Sequence, residues 1–263
     1  MCTTFYFFCD IRHILEPPMN NNSYICFIIL NHIHIIHFMR EDCISCPFKS
    51  VAASKLGECN MHNLTSNHVT IKMLKGEPVI KQGTFSTNVA FLRKGFAKIH
   101  ITGPTSEQIT RIVKAPTYLG LPTTMGVKIN QYSVTAVSDV EVCFIDINLF
   151  NQLLKDSPAF SYEIIMELCK SELESYHKCA NRTQKQTRGN IADMLIEFSD
   201  NIYQSDSFVL PLNQSEMGNM CDASRESISR ILNEFVRDGI IEIHGKNVLI
   251  TNKKSLRLIS QNG

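Results

Sequence analysis

The densest hydrogen-bonding chemistry in the chain lies between Arg225 and Arg237, where apolar and polar residues separate onto two helical faces. Ile228, Ile231, Leu232, Phe235 and Val236 share one face, and Arg225, Glu226, Ser229, Arg230, Asn233 and Arg237 occupy the other. An arginine can hold guanine O6 and N7 with two parallel bonds, and a glutamate can accept from cytosine N4. A helix of this composition therefore either reads base edges or presents a solvated charged face. Thiols are the second candidate. Cys43-Ile44-Ser45-Cys46 sets two of them at a spacing used for metal ligation and for disulfide exchange.

Flanking signals decide how the first of these is held. Asn213-Gln214-Ser215-Glu216 has the form of a capping box and predicts a short helix running to about Met220. Cys221-Asp222-Ala223-Ser224 supplies a turn and a new N-cap, so a second helix runs from Arg225 to about Arg237. Ile240-Ile241-Glu242-Ile243 and Val248-Leu249-Ile250-Thr251 follow as strand-like runs around His244-Gly245-Lys246-Asn247. Two short helices with a hairpin wing make a winged helix-turn-helix. Asp222 stands where such turns commonly carry glycine, and Asp tolerates the left-handed backbone better than most residues.

Upstream the pattern changes to short strands. Val69 to Met73, Val89 to Leu92, Ala97 to Ile101, Gln108 to Val113, Tyr132 to Val137 and Val140 to Ile145 are broken by turn residues, with no helical segment between them. That spacing predicts an antiparallel sandwich or roll and disfavours a parallel α/β sheet. From Pro158 to Ala180, Tyr162, Ile165, Cys169, Leu173, Tyr176 and Ala180 form a helical stripe. It either lies on its own domain or pairs with a second copy across a twofold axis. Asn181 to Gly189, with Arg182, Lys185 and Arg188, reads as a hinge, and Ile191, Leu195, Phe198 and Ile202 mark the helix that follows.

The order of corners in Lys75-Gly76-Glu77-Pro78-Val79-Ile80-Lys81-Gln82-Gly83 and Phe91-Leu92-Arg93-Lys94-Gly95-Phe96-Ala97-Lys98-Ile99 resembles the cyclic-nucleotide-binding roll of the Crp/Fnr family of bacterial transcription regulators. Ser224-Arg225-Glu226-Ser227-Ile228-Ser229-Arg230-Ile231-Leu232 resembles that family's recognition helix. The resemblance implies an α+β fold: an N-terminal β-roll of jelly-roll type, a long dimerisation helix and a C-terminal winged helix-turn-helix. It further implies a homodimer reading an inverted repeat, with Glu226, Ser229 and Arg230 at base edges and Arg225 beside them. Asn233, on the same face, completes the DNA-binding set. RNA polymerase and a small effector are the other implied partners.

Family members that bind cyclic AMP use a Gly-Glu pair and an Arg-Ser or Arg-Thr pair, where this chain has Gly120-Leu121 and Tyr132-Ser133. Without that carboxylate and guanidinium, cyclic AMP is not expected. Oxygen-sensing members hold a [4Fe–4S] cluster on three N-terminal cysteines and one in a strand. The resemblance carries this over to Cys43, Cys46, Cys59 and Cys143. Zinc at the same thiolates, a reversible Cys43–Cys46 disulfide and plain structural thiols remain alternatives.

Charge excludes binding by bulk attraction, because 26 Lys and Arg face 25 Asp and Glu. Even residues 213–263 balance 7 basic against 6 acidic side chains, so binding rests on placed contacts. Ten cysteines scattered through 263 residues suit reduced thiols in a cytoplasm better than a disulfide framework. No Walker loop, nucleophile–base constellation or zinc-protease His pair is present, so the chain does not read as an enzyme. Cys43-x-x-Cys46 lacks the βαβ context of a thiol oxidoreductase. A ligand-binding adaptor would leave the capped helix pair and wing without a role. The run Tyr24 to Phe38 is apolar but shorter than a membrane span and interrupted by Asn31, His32, His34 and His37, so no membrane association is expected. Residues 1–38 read as an appendage or a start-site error. The sensor roll is then expected over 39–150, the dimerisation helix and hinge over 151–185, and the DNA-binding domain over 186–263.

Overall fold

The computed structural model describes residues 42–263, and the expectation for residues 1–38 lies outside them. Two short helices lead in, α1 (Val51–Ser54), capped by the Ser50 hydroxyl, and α2 (Glu58–Ser66). Eight strands then build two antiparallel four-stranded sheets. They are β1 (His68–Met73), β2 (Pro78–Ile80), β3 (Asn88–Lys94), β4 (Phe96–Thr102), β5 (Glu107–Lys114), β6 (Thr117–Leu119), β7 (Ser133–Ala136) and β8 (Val140–Asp146).

One sheet has the order β1-β8-β3-β6 and the other β2-β7-β4-β5, so chain neighbours are repeatedly divided between sheets as in a roll. Leu92, Ala97, Val134, Ala136 and Val142 fill its core. All six expected strands are present. Strands β2 and β6, three residues each, were not expected, being too short to show a period. A single-turn helix α3 (Leu121–Gly126) starts at Gly120 in the left-handed region, at φ 80°.

Helix α4 (Ile147–Asp156) begins where β8 ends, because the Asp146 carboxylate accepts from the N–H groups of Asn148 and Leu149. The long helix α5 (Pro158–Gln184) has Ser157 as N-cap and proline at its first position. It buries only Phe160 and Ile164, leaving Tyr162, Ile165, Leu173 and Tyr176 between 56% and 62% exposed. Helix α6 (Thr187–Glu197) was expected to continue to Ile202. Instead it gives way to a π-helical turn over Phe198–Tyr203, which ends at Gln204 with φ 53°. This turn keeps Phe198 and Ile202 buried while redirecting the chain.

The remaining elements are β9 (Ser207–Val209), α7 (Gln214–Cys221), α8 (Arg225–Arg237), β10 (Ile241–His244), β11 (Asn247–Ile250) and α9 (Lys253–Asn262). The expected hairpin β10–β11 gains β9 as a third strand. The capping box at α7 is complete and Ser224 caps α8. Asp222 takes the left-handed conformation, φ 53° and ψ 47°, that the turn between them demands.

Gly218 lets that turn close on α7, since a Cβ there would stand 2.5 Å from the carbonyl oxygen of Ala223. Alanine is ordinarily about 1 kcal/mol better than glycine inside a helix. Here Gly218→Ala should instead destabilise by about 1–3 kcal/mol, because backbone must move. Thermal melting checks this, and an unchanged or higher midpoint would refute the packing described.

Candidate nucleic-acid interface

The polar face of α8 stands clear of the core. Ile228, Ile231, Leu232 and Phe235 are buried, whereas Arg225, Glu226, Arg230 and Asn233 are exposed and Ser229 is half-buried. The five expected side chains form two ridges with i,i+4 spacing. Arg225, Ser229 and Asn233 line a groove of about 640 Å3 whose other walls are Gln214 and Ser215 at the start of α7 and Lys246 in the wing. Glu226 and Arg230 are outside that lining on the adjacent ridge. The carboxyl of Glu226 is held below its ordinary range by its own backbone N–H and the Ser224 hydroxyl, so it is ionised at neutral pH. Arg230 Nη1 donates to Glu234 Oε1 at 2.7 Å. A groove with a helix on one side and a hairpin on the other, its apolar floor including Leu212, Leu232 and Ile243 and its polar rim including Arg225, Asn233 and Lys246, has the form that admits a duplex edge.

What aims this surface is a buried ion cluster that sequence reading missed. Lys98, on β4, donates to Glu107 Oε1 on β5 at 3.0 Å and to Glu216 Oε1 on α7 at 2.8 Å. Its side chain is only 10% exposed. Burial alone would lower the lysine's pKa, but the two carboxylates outweigh burial and leave it raised. Glu216 is held below its usual range against the opposing effect of its own burial, with Lys98 and the Asn213 N–H as the favourable partners. His100 lies 3.0 Å from Glu107 and is lowered, first by burial, then by the neighbouring Lys98 charge, against the pull of Glu107. Around this cluster Lys75 Nζ donates to the Pro211 carbonyl at 3.1 Å, and Arg182 Nη2 donates to the Ile109 carbonyl at 3.1 Å. Ile109, Ile112 and Val137 of the roll share one apolar cluster with Met217, Ile228 and Phe235.

A cleft of about 540 Å3 lies between β5, β6 and α5, lined among others by Arg111, Gly120, Tyr132, Glu167 and Lys178. Leu121 is buried, and the Ser133 hydroxyl accepts from the Gln82 N–H at 3.0 Å.

The expected thiols are only partly brought together. Cys43, Cys46 and Cys143 line a cavity of about 40 Å3 with His68, Arg93 and Tyr118, whereas Cys59 is exposed on α2 and outside that lining. Cys43 Sγ is 3.5 Å from His68 Nδ1, and Arg93 Nη2 donates to Cys46 Sγ at 3.4 Å. Burial pushes the Cys43 thiol up and that of Cys143 up to about 11, so both are protonated at neutral pH. Cys221, beside the turn, is pushed up to about 12, also by burial. A [4Fe–4S] cluster needs four thiolates about one centre, and Cys59 stands apart from the other three. These thiols do not fit that group, and among the described residues no three or more His, Cys, Asp or Glu are grouped to hold a metal ion.

Comparison with known proteins agrees with this geometry. Residues 70–157 match a cyclic nucleotide-binding domain and residues 189–259 a Crp-like helix-turn-helix domain. Electron transport regulator A of Shewanella oneidensis is 26% identical over 194 residues, covering 72% of this chain and 77% of its own length. The transcriptional activator protein FnrA of Stutzerimonas stutzeri is 26% identical over 189 residues, covering 69% and 76%. The solved structure of FixK2 from Bradyrhizobium japonicum superposes with a TM-score of 0.64 at 14% identity, covering 73% of this chain and 96% of that one. That likeness is one of fold.

Removing the ammonium would leave two carboxylates facing each other across the contact between roll and α7. Lys98→Met should therefore cost about 1–3 kcal/mol, less than a fully buried pair because both glutamates are partly exposed. Adding Glu216→Gln, which keeps the capping form, should recover part of it. The pH dependence has a definite sign. His100, with a folded pKa below 6.5, stabilises less as pH falls below that value, and Glu216 loses its contribution below 4.5. Melting midpoints measured from pH 7 down to 4 should fall in both windows, with the lower step flattened in the double variant. A flat profile would contradict the cluster.

Proposed function

The chain belongs to the Crp/Fnr family of transcriptional regulators, which are DNA-binding proteins and not enzymes, and we propose that it works as a homodimer reading an inverted-repeat operator through α8. The observation that carries this is the exposed polar ridge pair on α8, set beside a wing and held by a fully capped turn. Arg225, Glu226, Ser229, Arg230 and Asn233 are the reading set, with Arg230 and Glu226 suited to a guanine and a cytosine edge. Dimerisation is assigned to α5, whose exposed stripe of Tyr162, Ile165, Leu173 and Tyr176 is apolar and otherwise faces solvent. The cleft between β5, β6 and α5 is the effector site, and RNA polymerase is the downstream partner. No helix among the described residues is long and apolar enough to cross a membrane, which suits the cytoplasm where DNA is met.

Selection from random duplexes with the purified protein should recover a palindrome whose half-sites are about one helical turn apart. Arg230→Ala should weaken binding by about 1–3 kcal/mol and relax preference at one base pair. Leu173→Glu should convert the dimer to monomers in sedimentation and abolish operator binding. Recovery of no palindrome, or equal binding by Arg230→Ala, would remove this reading.

A second reading, sensing through thiols, is favoured by the convergence of Cys43, Cys46 and Cys143 on one cavity. The thiol pair Cys43 and Cys46 would form one S–S bond and give up two hydrogens to an azo oxidant, which is reduced to its hydrazine. Mild oxidation with diamide should then change operator affinity in the native sequence and not in Cys43→Ser. Identical responses in the two proteins would confine these thiols to packing.

A further inference from the structure

The Arg230–Glu234 pair would be an ordinary i,i+4 surface contact of little worth if Glu234 were free to move. It is not. Arg188, the second residue of α6, donates from Nη1 to Glu234 Oε2 at 3.1 Å, so each oxygen of that carboxylate takes one guanidinium. Arg188 is itself fixed, donating from Nη2 to Asp238 Oδ2 at 3.0 Å and lying with its guanidinium 5.1 Å over the ring of buried Phe235. Glu234, at the centre of this chain, is the least exposed member at 20%, Arg188 is 38% exposed, and Arg230 is 65% exposed. Glu234 is thus shielded between two guanidinium groups, Arg188 is set against the Phe235 ring, and Arg230 projects furthest into solvent.

We infer that Glu234 and Arg188 are positioning residues for base recognition, holding the Arg230 guanidinium in the pose that reads the operator. The inference rests on the proposal that Arg230 contacts a base edge. An arginine presents five N–H donors in a rigid fork, so committing Nη1 to Glu234 leaves Nη2 and Nε for the two acceptors of guanine. A guanidinium already oriented loses less freedom on binding than one sampling its full set of rotamers. The paired carboxylate also offsets the arginine's charge, which lessens indiscriminate attraction to phosphates.

The test uses the full-length dimer, the selected operator, and a set of operators altered one base pair at a time. Glu234→Gln is close to isosteric, and Arg188→Ala leaves the Arg230–Glu234 pair itself intact. Glu234→Gln should reduce discrimination about five- to tenfold at the base pair whose preference Arg230→Ala abolishes, and nowhere else. Arg188→Ala should follow the same pattern more weakly. Arg188→Lys, which keeps the charge but not the fork, should fail to restore it. Combined with Arg230→Ala, neither change should cost further discrimination. If Glu234→Gln keeps full discrimination while Arg230→Ala loses it, the positioning role is wrong and the reading of Arg230 stands. If Arg230→Ala also keeps it, that reading falls and the positioning role with it. A loss uniform across all operators, accompanied by a lowered melting midpoint, would assign Glu234 and Arg188 to structure alone and overturn the inference.

Discussion

A buried ammonium is costly unless carboxylates surround it, and Lys98 resolves that constraint by drawing one carboxylate from the roll and one from the helix-turn-helix. Glu216 serves twice, since its second oxygen accepts from the Asn213 N–H and starts α7. The same side chain therefore fixes where α7 begins and where it rests on the roll. From there the left-handed turn at Asp222 leaves α8 little freedom, and the direction of its polar ridges follows.

Strand β5 is the physical link. Its Ile109 and Ile112 join the apolar cluster of the C-terminal half, its Glu107 holds Lys98, and its Arg111 and Val113 line the cleft against α5. A ligand in that cleft would touch the strand that packs against the helix-turn-helix. Arg182, near the end of α5, adds a second tie, bonding the Ile109 carbonyl and lying 3.7 Å from Asp222. Ligand free energy could be converted into operator affinity only through differential contacts of this kind.

Local features were legible in the sequence and relational ones were not. The α8 ridges, the capping box and the left-handed Asp222 depend on neighbours a few residues away, so periodicity and cap chemistry exposed them. Strands β2, β6 and β9 are too short to carry a period. Helix α4 went unread because its N-cap, Asp146, is also the last residue of β8, so no loop marks the boundary. The Lys98–Glu216 contact joins positions 118 residues apart, which no spacing rule can anticipate. Arg188 was visible only as a basic hinge residue, and its grip on Glu234 depends on how α6 packs on α8. Cysteine spacing failed in the same way, because it states distance along the chain and not direction: Cys59 lies on a helix outside the cavity that Cys43, Cys46 and Cys143 share.

In the proposed complex, two copies of α8 enter the major groove on one face of a duplex. Methylation protection on the selected operator tests it most directly, because guanine N7 lies in the major groove and adenine N3 in the minor groove. Two patches of guanine N7 protection about 10 base pairs apart are expected, the spacing of a twofold pair of recognition helices. Protection confined to a single patch, or to adenine N3, would contradict it.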